Sequence, residues 1–492
     1  VNAIPSGEGK GNVVLDGGET AAGTLNVGGL NISINGLSGT AGAVLGRVVN
    51  NTSDTAAVLT VGNNDATSSF AGVIANNTSG TGTLGLTKIG TGTLTLSGAN
   101  TYSGGTTLAD GIIALGHADA LGISGNVSFT GGNLEHSASN TTDYSARIKN
   151  STGVIAINTN GHSVEYEGII DDSNVGGLTK TGEGILALNA ANSYTGDNLI
   201  SAGSLIAGNA SGSATGSGSV TVNGATLGGN GRIGGDIVLS NAAELDPVGI
   251  FTAAADVSGS GSLNLAVQGL SSDKLVVTGA GVVSITGLTL DLGSSSNATE
   301  SVYVLVDSAS PISGAAFASV SHLPTGYSLN YSYNDGVDSN NIALVKDSVV
   351  VTPPYEAWAT GFDLEGEDAA AGADPDGDGV KNIVEFVTGG NPTVASTALL
   401  PTINTTATHL VFSFRRTDLS TTQAGLTAAV EYGTTLGSWT TAADGVQGVT
   451  ITTTDDGYGV GVDKVDVSIP RTLAPSGRLF ARLNVTLAPQ AP

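Results

Sequence analysis

Between residues 374 and 385 the chain reads DPDGDGVKNIVE, which places oxygen donors at regular intervals around a tight turn. Asp374, Asp376 and Asp378 supply side-chain oxygens. Gly379 permits the sharp reversal, and Val380 offers its backbone carbonyl. Asn382 stands at a position that often binds through water, and Glu385 can bind through both of its oxygens. A hard cation such as calcium needs about six to eight oxygens converging on one point, and this spacing delivers them. The expected cofactor is therefore calcium. The alternative is an acidic turn that holds no metal.

Such a loop needs two elements to frame it. Upstream, YEAWATGF (355–362) puts Trp358 and Phe362 four residues apart, on one face of a short helix. Downstream, Ile383, Phe386 and Val387 give an exit helix its apolar face, and GGNP (389–392) stops it. The twelve residues fit the EF-hand loop at every ligand position. They resemble the structural calcium loops of dockerins and thrombospondin-like repeats, which implies a calcium-rigidified joint over 355–392 rather than a sensor. The linker before it is DSVVVTPP (347–354). After it, residues 399–488 alternate apolar and polar side chains: HLVFSFRR (409–416), AAVEYGTT (428–435), GVTITTT (448–454), DKVDVSIP (463–470) and RLFARLNVTL (478–487). This predicts a small antiparallel β-sandwich. It resembles the C-terminal β modules that follow such loops in large secreted bacterial proteins. Arg415, Arg416, Arg471, Arg478 and Arg482 fall here, either on solvated strand faces or as a polar patch that meets an acidic neighbour.

Composition limits the other possibilities. The net charge of −26 repels phosphate backbones and anionic membrane surfaces, so nucleic acid is not an expected partner. Apolar residues make up 40%, enough for a buried core, while 74 Gly and only 12% charged residues suit many short strands with tight turns. Without Cys there is no disulfide framework, and a zinc site among the five scattered His is not expected. No apolar run reaches the roughly 18 residues of a membrane-spanning helix, so membrane insertion is not expected. The chain has no Met and begins at Val1. The expectation is removal of a signal peptide and an extracellular or cell-surface location.

The first two-thirds of the chain repeats. LTKIGTGTLTLSGANTYSGGTTLADGIIALG (86–116) aligns without a gap on LTKTGEGILALNAANSYTGDNLISAGSLIAG (178–208). Lys88 falls on Lys180, Asn100 on Asn192, Tyr102 on Tyr194 and Gly111 on Gly203. Leu94 and Leu96 flank Thr95, and Leu186 and Leu188 flank Ala187, which is strand periodicity with one buried face. Regular turns and internal repeats with no helical period before residue 355 predict a solenoid. The expected fold is all-β: a solenoid over 1–346, then the helix–calcium loop–helix joint and the β-sandwich.

The segment 86–116 closely resembles the autotransporter passenger-associated strand repeat, whose members build right-handed parallel β-helices in exported bacterial surface proteins. The copy at 178–208 departs at Asp197 and Asn198, where that family has Gly-Thr. Residues 261–345 resemble the closing segment of such passengers, through DKLVVTG (273–279), VYVLV (302–306), ISGAAF (312–317) and NIALV (341–345). Complete members end in a membrane barrel, whereas this chain ends LNVTLAPQAP, so export by another route is expected.

Parallel β-helices also host polysaccharide lyases and hydrolases, which need clustered carboxylates on one face. Asp171 and Asp172 are the local candidates, but the other copy reads Ala75-Asn76 at that point. A solvated turn explains them. GTGTLG (80–85) matches a dinucleotide fingerprint in letters but precedes strand residues, not a helix. The expectation is a structural protein and no enzyme. It self-associates head to tail into a fibre or surface layer, because no amphipathic helix covers the first coil. The alternatives are a monomeric adhesin or stalk that binds glycans or cell-surface components, and a polysaccharide-degrading enzyme.

Overall fold

The computed structural model describes residues 4–16, 19–39, 45–52, 54–77, 80–294, 297–347 and 352–488. Of the linker expected at 347–354, residues 348–351 lie outside them. The chain divides into two compact units, 1–347 and 348–492.

The first unit is a parallel β-solenoid of about 12 turns. Its strands are short because a Gly or Asn turns the chain every few residues, and within each sheet most pair with the strand one coil earlier and one coil later. Ile113 lies over Leu94, Leu134 over Ile113, and Ile157 over Leu134, so successive coils take 19, 21 and 23 residues. The longest sheet has ten strands, all parallel, and runs from Ser68–Phe70 to Val257–Gly259. Alternation sends every second side chain inward. Leu94, Leu96, Leu186 and Leu188 are all fully buried, and one apolar cluster runs from Val27 to Leu344. The last coils change pairing. Asn341–Lys346 runs antiparallel to both Val302–Ser308 and Tyr327–Tyr333, within the closing segment expected at 261–345.

The residues that align between the two repeat copies hold matching places. Asn100 accepts from the Ile74 N–H at 2.8 Å and donates to the Ala120 carbonyl at 2.7 Å. Asn192 does the same with Ile170 and Ala214, at 2.8 and 2.6 Å. The Tyr102 hydroxyl meets Thr106 at 2.7 Å, and Tyr194 donates to Asn198 at 2.9 Å. The departure at Asn198 thus keeps a hydrogen-bond partner for the buried tyrosine. Gly111 and Gly203 both have φ +62°, and a Cβ at either would stand 2.4 Å from a carbonyl of the coil below.

Lys88 and Lys180 replace an aliphatic residue at the inward end of a strand. The Lys180 ammonium is fully enclosed and donates to the carbonyls of Thr181, Gly182 and Ala202 at 3.1, 2.7 and 3.0 Å. Lys88 does so with Ile89, Gly90 and Asp110 at 2.7, 2.6 and 3.4 Å. Burial lowers Lys180 to about 8. The cost of enclosing a cation is offset by three converging carbonyls, each of which gains a charge-assisted hydrogen bond.

The two copies do not sit on the same face. Leu84–Lys88 belongs to a five-stranded sheet, whereas its counterpart Leu178–Thr181 belongs to the ten-stranded one. Likewise Thr93–Leu96 lies in the ten-stranded sheet and Gly184–Leu188 in an eight-stranded one. The repeat has moved round the solenoid by one face.

The second unit combines three short helices with two antiparallel sheets. We label the helices α1 (Pro354–Gly361), α2 (Asn382–Thr388) and α3 (Asp418–Thr421). One sheet orders Thr402–Thr405, His409–Thr417, Val462–Pro470 and Thr450–Thr454; the other orders Ser438–Thr441, Leu426–Thr435 and Phe480–Leu487. Both sheets bury side chains in one core that includes Phe412, Val430, Tyr432 and Val467. Thr402–Thr405, Ser438–Thr441 and α3 were not foreseen from the sequence. Thr402–Thr405 is exposed throughout, so it carries no apolar alternation. No helix among the described residues is long and apolar enough to cross a membrane, which says nothing of a β-barrel.

Two predictions follow from the solenoid interior. Replacing Lys180 with Met leaves the Ala202 carbonyl without the donor it has here and removes two further charge-assisted bonds, and is expected to destabilise the solenoid by on the order of 2 kcal/mol, read as a lower thermal midpoint. His136 is fully buried, with Nε2 3.2 Å from the Tyr166 hydroxyl. Burial brings its imidazole down to about 4, against an ordinary 6.5. The unfolded chain then binds a proton that the folded chain refuses. Stability is therefore complete above pH 6.5 and falls between pH 6.5 and 4, by roughly 3 kcal/mol. Denaturant titrations of wild type and His136→Gln across that range check it; the variant should lose the slope.

Candidate cation-binding site

The loop of residues 374–385 closes between an aromatic cluster and the face of α2. Tyr355, Trp358 and Phe362 come from the α1 segment, and Phe386 from α2. The Tyr355 and Trp358 rings lie 5.4 and 5.5 Å from Phe386, and Trp358 lies 5.3 Å from Phe362. Ile383 and Phe386 bury the inner face of α2 together with Leu426, Val485 and Leu487 of the β module. The Phe386 and Thr388 carbonyls accept from Thr417 at 2.8 Å and Arg415 at 3.1 Å. Gly389, with φ +79°, ends the helix. The loop is thereby fastened to the strand His409–Thr417.

Within the loop, Asp374, Asp376 and Asp378 converge, with one oxygen of each inside 4.8 Å of the others. The backbone holds them there. The Asp378 N–H donates to Asp374 at 3.2 Å and to Asp376 at 3.0 Å; Gly379 N–H donates to Asp374 at 2.9 Å, and Val380 N–H to Asp378 at 2.7 Å. Gly379 has φ +88°, a conformation that an L side chain disfavours.

Glu385 lies outside that group of three, but its environment refers to it. The residue is 1% exposed, and among the described residues neither carboxylate oxygen has a donor in hydrogen-bond geometry. Burial pushes its carboxyl up, the nearby Ser396 hydroxyl draws it part of the way back, and the charges of Asp376, Asp378 and Asp374 push it up further. Asn382 is fully buried too. Its amide donates to the carbonyls of Asp368 at 2.7 Å and Ala370 at 3.0 Å, while its Oδ1 is left without a donor. Asp376 Oδ2 is the fourth such oxygen in the loop. Four enclosed acceptors with no donors, beside converging carboxylates, fit a hard cation.

Sequence reasoning missed Ser396. Its N–H donates to Asp378 Oδ2 at 2.5 Å, and its hydroxyl accepts from the Asn391 N–H at 2.9 Å. It lies outside the twelve-residue spacing, so no motif signals it. Gly390 was read only as a helix stop, yet a Cβ there would stand 3.0 Å from Glu385 Oε1.

The other candidates are occupied elsewhere. Asp171 accepts from Lys149 at 2.6 Å and from the Ser173 hydroxyl at 2.6 Å, which lowers its carboxyl. No motif signals the Lys149 pair, because it bridges successive coils. Four of the five C-terminal arginines have internal partners. Arg416 pairs with Asp463 at 2.8 Å, and Arg482 pairs with Glu431 at 2.7 Å while lying 4.3 Å from the Trp439 ring. Arg415 stacks 4.7 Å from the Tyr458 ring, and Arg471 donates to the Thr406 carbonyl at 3.1 Å.

Known proteins resemble parts of the chain. A stretch of 144 residues is 33% identical to the adhesin BmaC autotransporter of Brucella suis biovar 1 (strain 1330). It covers 25% of this chain and 4% of that protein, so the chain spans a small part of the relative's length. The Haemophilus influenzae Hap adhesin structure aligns over 66% of this chain and 49% of its own, at 14% identity and a TM-score of 0.30, too distant to bear on the site. Residues 86–115 and 178–207 each match the passenger-associated-transport-repeat family.

Proposed function

We propose that this chain is an extracellular, surface-displayed segment of adhesin type, in which the solenoid is a rigid spacer and the C-terminal unit carries a calcium-bound loop. The two passenger-associated-transport-repeats carry the first part of this reading, since their shared residues build the solenoid's interior. Similarity to an adhesin autotransporter supports a cell-surface setting. A structural or adhesive role also accords with Asp171 being held in an ion pair rather than poised as a catalytic acid. Glycans and other cell-surface components are the ligand class. Saturable binding of the full chain to immobilised glycans or cells is expected; its absence across a broad glycan panel would count against the adhesin reading.

The calcium reading rests on the four donorless oxygens of Asp376, Asn382 and Glu385. Asp374, Asp376, Asp378, the Val380 carbonyl, Asn382 and Glu385 would hold the ion, and it would neutralise carboxylates that now repel one another. Affinity is expected at about 10⁻⁴ to 10⁻³ M, as for extracellular modules. At ten times the dissociation constant, binding stabilises the unit by roughly 1.4 kcal/mol. Differential scanning calorimetry should show the C-terminal transition rising with calcium and falling with EGTA. Asp376→Ala should abolish most of that response, and an unchanged transition in wild type would sink the metal reading.

Head-to-tail self-assembly is a second reading, favoured by one observation. The strand Thr24–Asn26 is the last of its parallel sheet and pairs on one side only, with Arg47–Val49. Analytical ultracentrifugation over a concentration series decides it, since a monomer at all concentrations excludes the fibre.

A further inference from the structure

The two sheets of the C-terminal unit leave one side of their sandwich open. Among the described residues, Thr402–Thr405 ends the four-stranded sheet and pairs only with His409–Thr417. Phe480–Leu487 likewise ends the three-stranded sheet on this side and pairs only with Leu426–Thr435. Both free edges border one groove of about 520 Å³, whose apolar wall includes Val384 of α2, Leu400, Ile403, Phe412 and Leu483. Ile403 is 54% exposed there. Thr402–Thr405 has no charged side chain, no Pro and no bulge, the devices that keep an exposed edge from pairing with another chain. An uncharged edge beside an apolar groove fits an extended segment. The backbone of that segment continues the sheet, and every second side chain enters the groove.

Charge and patterning select the occupant. The groove carries Lys381, which forms no ion pair among the described residues, and Arg482, which is held by Glu431 at 2.7 Å. Asp378 also lines it, but its two oxygens accept from the Val380 N–H at 2.7 Å and the Ser396 N–H at 2.5 Å. The matching segment is a strand with a free edge that shows an apolar side chain and a carboxylate on one face. The first coil of the solenoid supplies one. Val13–Val14 pairs on one side only, with Leu37–Ser38. Val14 is 59% exposed, and Asp16, two residues on, lines the same surface hollow. Thr24–Asn26 and Ile32–Ile34 also end parallel sheets at the start of the solenoid, but they turn only Thr24, Asn26 and Ser33 outward. Residues 4–31 carry Glu8, Asp16 and Glu19 against Lys10 alone, so this coil is acidic where the groove offers an unpaired ammonium.

We propose, resting on the head-to-tail reading, that Val13–Val14 of one copy pairs along Thr402–Thr405 of the next, with Val14 in the apolar groove and Asp16 beside Lys381. The contact gives both free edges hydrogen-bond partners and covers the open side of the sandwich. Each copy offers one strand and one groove, so the contact is heterologous and builds chains or rings rather than a two-fold dimer.

Sedimentation velocity of the full chain over a concentration series tests this. Ile403→Lys blocks the groove and Val14→Asp blocks the strand, both at exposed positions. Wild type is expected to form species larger than a dimer, and each variant alone to stay a monomer. An equimolar mixture of the two variants should stop at a dimer, because only one intact strand and one intact groove remain to meet. Wild-type assembly that either substitution leaves intact overturns this interface while head-to-tail assembly stands. A wild type that stays monomeric at every concentration overturns both. If Ile403→Lys fails to fold, as read by circular dichroism, Asn404→Lys on the same exposed strand replaces it and must abolish assembly.

Discussion

Coil-on-coil backbone pairing constrains everything else in the first unit. A strand of three to five residues cannot be stable alone, but most here exchange hydrogen bonds with the coil on either side. That requires successive coils to stay in register while their lengths vary, and the turns absorb the variation. The inward residues then stack as columns, of which Leu94, Ile113, Leu134 and Ile157 form one. Stacking buries each aliphatic side chain against its own kind above and below, so the core extends along the axis rather than around a centre.

A core of this shape has corners, and corners expose backbone groups to the interior. Asn100 and Asn192 bridge coils by accepting from one and donating to the next. Lys88 and Lys180 gather three carbonyls each. These polar residues are as deeply enclosed as the leucines, because an unpartnered backbone carbonyl in that environment costs more than an enclosed and satisfied cation. In the C-terminal unit, by contrast, four enclosed oxygens of Asp376, Asn382 and Glu385 gather within one loop without such donors.

Much of this was legible in the sequence, and for identifiable reasons. Alternation of Leu94 and Leu96 about Thr95 reports a strand because side chains on a strand have a period of two. The loop of 374–385 is legible because its donors are local in sequence, each placed by the residue before it. The convergence of the Asp418, Asp455 and Asp463 carboxylates was not legible, since they come from three separate segments and their spacing follows no motif. Ser396 and Lys149 escaped for the same reason: each acts across a gap of at least 18 residues. The exposed strand Thr402–Thr405 escaped because a strand with no buried side has no pattern to read.

By itself, then, the sequence determined the solenoid, its two repeat copies and the identity of their buried Lys, Asn and Tyr residues, because these depend on neighbours along the chain. It also determined the turn of residues 374–385, whose geometry is local. Only the tertiary structure decided which face of the solenoid each copy occupies. Ninety-two residues separate Lys88 from Lys180, yet the strands that carry them lie in different sheets. The face depends on the summed lengths of all intervening coils and turns, and no single position records that sum.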